Sequence, residues 1–186
     1  IAAALVLVLS GIQLNLFVGY FLELIGLNQM LTPEALATTS TWIASLLTIM
    51  WVVGITNSMN FLDNMDGLSG GVSVIAAFSF FLCVLPTNQY FTCALLMVFA
   101  GAVAGFLYHN LNPARIFMGD AGSMFCGYIL STVAVVGTFY TEENTASRVA
   151  VAAPLLALGV PIFDTITVVY IRWRNGESIM KGDKRH

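Results

Sequence analysis

The chain has 186 residues, of which 58% are hydrophobic and only 9% charged, with a formal net charge of −3 and a mean hydropathy of +0.86. A soluble domain carries roughly 25% charged residues, so this composition excludes an ordinary water-soluble globular protein. The net charge says little, because the distribution of charge matters more than its sum, and no nucleic-acid partner is expected.

Apolar stretches of roughly 18 or more residues read as membrane-spanning helices. They occur at about 1–17, 40–56, 67–85, 90–108, 122–139 and 148–171. The expected fold is therefore all-α: a polytopic transmembrane helix bundle of about six spans, forming a single integral membrane domain over 1–186. The first stretch has no basic n-region and no small-residue cleavage site, so it is not a signal peptide. The sequence reads as an internal fragment of a longer polytopic chain. The 18–39 stretch mixes Leu, Phe and Tyr with Glu23 and Glu34, which suits a hairpin or an interfacial segment.

The second apolar run ends in NSMNFLDNMDGLSGG, residues 57–71. If the helix continues into it, Asn57, Asn60 and Asp63 fall at i, i+3 spacing, as do Asp63 and Asp66. That is a polar stripe where a helix leaves the bilayer. Gly67, Gly70 and Gly71 allow close backbone approach. The rival reading is a hydrated helix end capped by Asn and Asp, but the stripe holds more polar groups than capping requires.

The fourth run ends in HNLNPARIFMGDAGS, residues 109–123. Asn110, Asn112 and Pro113 make a turn before Arg115, and Asp120 follows between two glycines just ahead of the next span. A carboxylate on a Gly-flanked turn can reach a metal ion without obstruction. Its rival role is N-cap of the span from 122. Gly101 and Gly105 form a small-xxx-small pattern that suggests close helix packing. Cys83, Cys93 and Cys126 lie in apolar segments at no metal-ligand spacing and read as inert buried thiols. In the last span, Pro161 predicts a kink one turn before Asp164, an intramembrane carboxylate that is either functional or a partner for a neighbouring polar group.

Orientation follows from the cations. Arg172, Arg174, Lys181, Lys184 and Arg185 crowd the C-terminal tail, which the positive-inside rule places in the cytoplasm. Counting spans backwards puts loops 57–66 and 109–121 on the same cytoplasmic side, with Arg115, and leaves Arg148 as the one outer cation. Glu23, Glu34, Glu142 and Glu143 fall outside. Asp63, Asp66, Asp120 and Asp183 therefore gather on the basic face, although acids took no part in setting the topology. Such a surface suits an anionic, metal-bound substrate.

NFLDNMDGLSGG, NPARIFMGDAGS, the PIFDT of the last span and the RWRNGESIMKGDKRH tail resemble the polyprenyl-phosphate N-acetylhexosamine-1-phosphate transferases. That superfamily includes the bacterial enzymes that begin O-antigen and teichoic acid linkage synthesis, and the phospho-MurNAc-pentapeptide translocase. The resemblance runs from about residue 40 to the end. It implies a bacterial plasma-membrane enzyme with a cytoplasmic active site. The enzyme would move a sugar-1-phosphate, GlcNAc-1-phosphate foremost, from a UDP-N-acetylhexosamine to undecaprenyl or another polyprenyl phosphate, releasing UMP. The cofactor implied is Mg²⁺, with Mn²⁺ as a substitute, and a homodimer is compatible with it.

By the same resemblance Asp120 is the metal ligand, and Asp63 and Asp66 match the DxxD element near the nucleotide. Asn60, on that stripe, is expected to bind substrate. Asn110 and Phe117 match positions lining the uracil pocket. Arg172, Arg174, Arg185 and His186 would hold phosphate or sugar. The family carries a DD pair on an earlier cytoplasmic loop and further His residues after GDKRH, so part of the active site is expected outside this segment. A transporter using Asp164 is the alternative of a different class. It is disfavoured because most acids lie in loops and the sequence shows no repeat.

Overall fold

The computed structural model of the chain describes residues 1–14, 18, 32–137 and 154–176. The protein is all-α, with no strand among the described residues. In chain order the helices are α1 (Ala2–Leu9), α2 (Pro33–Leu62), α3 (Leu68–Val84), α4 (Tyr90–Asn110), α5 (Gly119–Gly137) and α6 (Gly159–Arg174). Four of them, α2 to α5, are long and apolar enough to cross a membrane. No more than 44% of the apolar window of any of these is buried within the chain. Trp42, Ile75, Phe91, Val98 and Phe125 lie exposed along them. Helices this apolar and this exposed have lipid as their solvent.

The expected spans shift at several places. α2 begins at Pro33 rather than near 40, so 33–39 is helix, with Pro in its first turn, where the missing N–H is harmless. Its 30 residues make a helix about 45 Å long, longer than the roughly 30 Å hydrocarbon core, so part of it projects beyond the core or the helix tilts. The first expected span is helical only to Leu9. Gly11 takes a positive φ of 79°, and the Leu14 N–H then donates to Thr48 Oγ1 on α2 at 3.0 Å. In the last span, Leu158 leaves helical geometry (φ −100°, ψ 17°) and α6 starts afresh at Gly159. Pro161 thus falls in the first turn of a new helix rather than kinking a continuous one.

Packing is organised by α2, which contacts α1, α3, α5 and α6, while α3 packs on α4 and α5. The core joins Ile55, Met59 and Leu62 of α2 to Ala77 and Phe80 of α3, Leu96 and Phe99 of α4, and Cys126 and Leu130 of α5. α2 and α5 approach each other backbone to backbone at Gly127. A Cβ at Gly127 would lie 2.7 Å from the Thr56 Cα and 3.1 Å from the Ile55 carbonyl oxygen. The Trp51 indole N–H ties the same two helices by donating to the Ser131 carbonyl at 3.3 Å. Gly101 and Gly105, expected to mediate packing, have nothing within 4 Å of a Cβ position. Cys93 and Cys126 are buried as expected, Cys83 is exposed, and all three are free thiols.

Candidate active site

α2 continues through Asn57 and Asn60 and stops with Asp63 as its C-cap, the Asp63 N–H reaching the Asn60 carbonyl at 3.3 Å. A carboxylate at a helix C-terminus gains nothing from the macrodipole, so capping of α2 does not account for Asp63. α5 begins at Gly119, which has a φ of +66°, and Asp120 stands in its first turn. Asp120 is therefore one residue inside the helix rather than its cap, although a negative charge there does complement the dipole.

Residues 60 apart in sequence meet here. Asn60 Nδ2 donates to Asp120 Oδ1 and to Ser123 Oγ, each at 3.1 Å. The Ser123 hydroxyl is fully buried and turns back to the Gly119 carbonyl at 3.1 Å. The Asp63 carboxylate accepts the backbone N–H of Gly119. Partial burial, with the Asp120 charge beside it, holds the Asp63 carboxyl above the usual carboxylate range, and the Gly119 hydrogen bond only partly offsets this. Two carboxylates thus interact across the α2–α5 crossing, with the Asn60 side chain holding Asp120 and its backbone carbonyl accepting the Asp63 N–H. Ser123 was not singled out from the sequence. Its only signal was its place four residues after Gly119, on the face of α5 that carries Asp120.

Asp66 does not join this pair. Its Oδ2 accepts the Asn112 side-chain amide and the Ala114 backbone N–H, both at 3.1 Å. Asn110 is 5% exposed, and both ends of its amide are engaged. Oδ1 accepts the Gly67 N–H at 3.0 Å, and Nδ2 donates to the Ile116 carbonyl at 2.9 Å. The loop 111–118 between α4 and α5, which contains a cis Asn112–Pro113 peptide, is thereby fastened to the turn after α2. Phe117 projects from it, 77% exposed. Arg172 and Arg174 occupy the last turn of α6, the helix that packs on α2. Arg185 and His186 lie outside the described residues, as do Lys181, Asp183 and Lys184.

Among the described residues no three His, Cys, Asp or Glu side chains converge as a complete metal cage. Mg²⁺ does not require one, because it keeps several waters and typically takes one or two carboxylates plus substrate phosphates. The mutual repulsion of Asp63 and Asp120 is what a divalent cation would relieve, so this pair fits such an ion.

A groove of about 530 Å³ opens between α1, α2 and α5. Its walls are largely apolar, formed by Ala4, Val52, Met124, Phe125 and Tyr128. Asn57 and Ala121 are the lining residues nearest in sequence to Asn60 and Asp120.

The fold and site define a membrane-embedded helix bundle with a pair of acidic side chains where two of its helices cross. The chain belongs to glycosyl transferase family 4, whose model matches residues 1–138. It is 38% identical over 145 residues to a probable undecaprenyl-phosphate N-acetylglucosaminyl 1-phosphate transferase of Bacillus subtilis (strain 168), covering 78% of this chain and 39% of that protein. It is 34% identical over 158 residues to a decaprenyl-phosphate N-acetylglucosaminephosphotransferase of Mycolicibacterium smegmatis, covering 76% of this chain and 38% of that one. A phospho-N-acetylmuramoyl-pentapeptide-transferase of Staphylococcus carnosus is 41% identical over 90 residues, 47% of this chain and 27% of that protein. The chain thus spans about two fifths of the length of the first two relatives.

Proposed function

We propose that the protein carrying this chain transfers a sugar-1-phosphate from a UDP-N-acetylhexosamine to a polyprenyl phosphate at the cytoplasmic face of a bacterial plasma membrane. The observation that carries this is the cluster of Asp63, Asn60 and Asp120 where α2 and α5 cross. The acceptor phosphate oxygen attacks the sugar-bearing phosphorus, the bond to UMP breaks, and a lipid-linked pyrophosphate forms. Both reactants are anions, so such a transfer depends on positioning and charge neutralisation more than on covalent assistance. Mg²⁺ held by Asp120, with Asp63 beside it, would supply that neutralisation.

The chain's own residues supply the rest of the reading. Asn60 fixes the orientation of Asp120, and the groove suits the apolar chain of the acceptor. Phe117 is exposed for stacking against a base. Arg172 and Arg174, with Arg185 and His186, provide donors for phosphate or sugar. GlcNAc is the favoured sugar because the relatives named for it match about three quarters of the chain, whereas the pentapeptide transferases match about half. The product would begin a cell-envelope polysaccharide.

The test is UMP release by full-length protein in membranes, with UDP-GlcNAc, UDP-GalNAc and UDP-MurNAc-pentapeptide offered separately, with and without polyprenyl phosphate. Release that requires lipid and UDP-GlcNAc supports the proposal, and turnover confined to UDP-MurNAc-pentapeptide transfers the assignment to that branch. Ion flux without lipid-dependent UMP release overturns it in favour of a transporter. Asp120→Asn retains shape and helix-start compatibility but removes the charge. Turnover should collapse while thermal stability barely changes.

A further inference from the structure

α6 packs on α2, yet of its 16 residues only Pro161 is buried. At 1.5 Å per residue it is about 24 Å long, short of the roughly 30 Å hydrocarbon core. One end therefore lies within the core while the other reaches an interface. Val160, Phe163, Ile166, Tyr170 and Trp173 are each more than half exposed. They recur every three or four residues, which sets them on one face of the helix. The C-terminal end of that face carries two further features. Tyr170 and Trp173 have ring centroids 6.5 Å apart, and amphipathic rings of these two kinds collect at the level of lipid headgroups. Arg172 and Arg174 occupy the same last turn, and Arg174 is exposed. Asp164, the only acid of α6, lies ten residues before Arg174. Beyond Asp164 the sequence carries five cations against Glu177 and Asp183, in a chain whose net charge is −3. Positive charge is thus concentrated where an apolar helix face meets the interface.

We propose that the last turn of α6 is a binding site for an acidic phospholipid of the cytoplasmic leaflet. The headgroup phosphate lies on the Arg174 and Arg172 guanidinium groups, and the acyl chains run along the face from Trp173 back to Phe163. A guanidinium offers a planar fork of donors suited to phosphate oxygens, and a juxtamembrane cation draws acidic lipid to itself. The choice of leaflet rests on the orientation proposed above, whereas the lipid site does not rest on the transferase reading. A phosphate on this pair can belong to a soluble substrate or to the bilayer. The adjoining apolar face favours the bilayer, because a soluble nucleotide gains nothing from it.

The test is fluorescence quenching in full-length protein reconstituted into symmetric phosphatidylcholine vesicles without polyprenyl phosphate. Dibrominated phosphatidylglycerol or dibrominated phosphatidylcholine is added at the same small mole fraction. Subtracting the signal of Trp173→Phe isolates Trp173 from Trp42 and Trp51. The acidic lipid should quench Trp173 about 2-fold or more over the zwitterionic one. That excess should vanish in the Arg172→Gln, Arg174→Gln double variant. It should also shrink as salt is raised from about 0.1 M to about 1 M, which shortens the screening length from about 10 Å to about 3 Å. Should the double variant fold poorly, the salt titration of the wild type decides alone. Equal quenching by the two lipids overturns the proposal, and so does an excess unchanged by the substitutions or by salt. Loss of the excess on adding one equivalent of polyprenyl phosphate also overturns it, by assigning the cations to the acceptor. Absent lipid-dependent UMP release would sink the transferase reading alone, since quenching does not depend on turnover.

Discussion

The contact most open to a quantitative test is Gly127 against α2. In Gly127→Ala the new Cβ would sit 2.7 Å from the Thr56 Cα, 3.1 Å from the Ile55 oxygen and 3.1 Å from the Met59 Cβ. Carbon atoms settle at about 3.5–4.0 Å, and two of the three obstructing atoms belong to a helix backbone that no rotamer can move. The helices must separate by roughly 1 Å. Asn60 lies four residues beyond Thr56, and Ser123 four residues before Gly127, so the crossing is about 6 Å along each helix from the Asn60 hydrogen bonds. Opening it by that amount stretches the two 3.1 Å bonds to Asp120 and Ser123 beyond the range of a hydrogen bond. Overpacking of this kind costs about 1–3 kcal/mol, against a gain of under about 1 kcal/mol in helix propensity. A misplacement of about 1 Å in a catalytic group can lower turnover by about 10²-fold. Thermal unfolding in detergent and lipid-dependent UMP release should both show the loss. Gly101→Ala, which meets nothing within 4 Å, serves as the control and should be neutral or slightly stabilising. Gly127→Ala protein with the melting temperature and turnover of Gly101→Ala would refute the reasoning.

The Asp63 carboxyl sits above its ordinary value of 3.8 because of burial and the Asp120 charge. Its favourable contribution is therefore complete below that ordinary value and is lost as pH rises through the raised folded one. Metal-free protein should lose stability as pH rises above about 4, and Asp63→Asn should flatten that decline in unfolding measurements made in chelator. A wild-type profile rising over the same window, unchanged by the substitution, would argue against the repulsive pair. For topology, Ser58 lies on the expected cytoplasmic loop but is buried in α2, so a probe there would be silent in any orientation. Single cysteines at the exposed positions Asn64 and Leu111, in a background lacking Cys83, Cys93 and Cys126, should resist impermeant reagents in intact cells. Labelling of either from outside would invert the assigned face.

Much of this protein is local information. Hydropathy over windows of about twenty residues identifies α2 to α5 as spans because lipid exposure demands apolar side chains on every face. The glycine-flanked FMGDAGS and the i, i+3 stripe of Asn57, Asn60 and Asp63 likewise point to a polar site, since charges are scarce enough that each stands out. The sequence also marked Asp63, Asp66 and Asp120 as one group. Tertiary structure divided them. Asp63 and Asp120 meet because α2 and α5 cross, whereas Asp66 turns to Asn112 and Ala114, 46 and 48 residues away. No periodicity in the sequence encodes which partner a carboxylate finds across such a distance. The glycines make the same point. Gly101 and Gly105 carry the packing pattern that the sequence analysis singled out yet face outward, while Gly127, in the run of small residues Gly119, Ser123, Gly127 and Ser131 that it passed over, lies where two backbones touch. Spacing along one helix specifies which residues share a face. Which face meets a neighbour is decided only when the whole bundle packs.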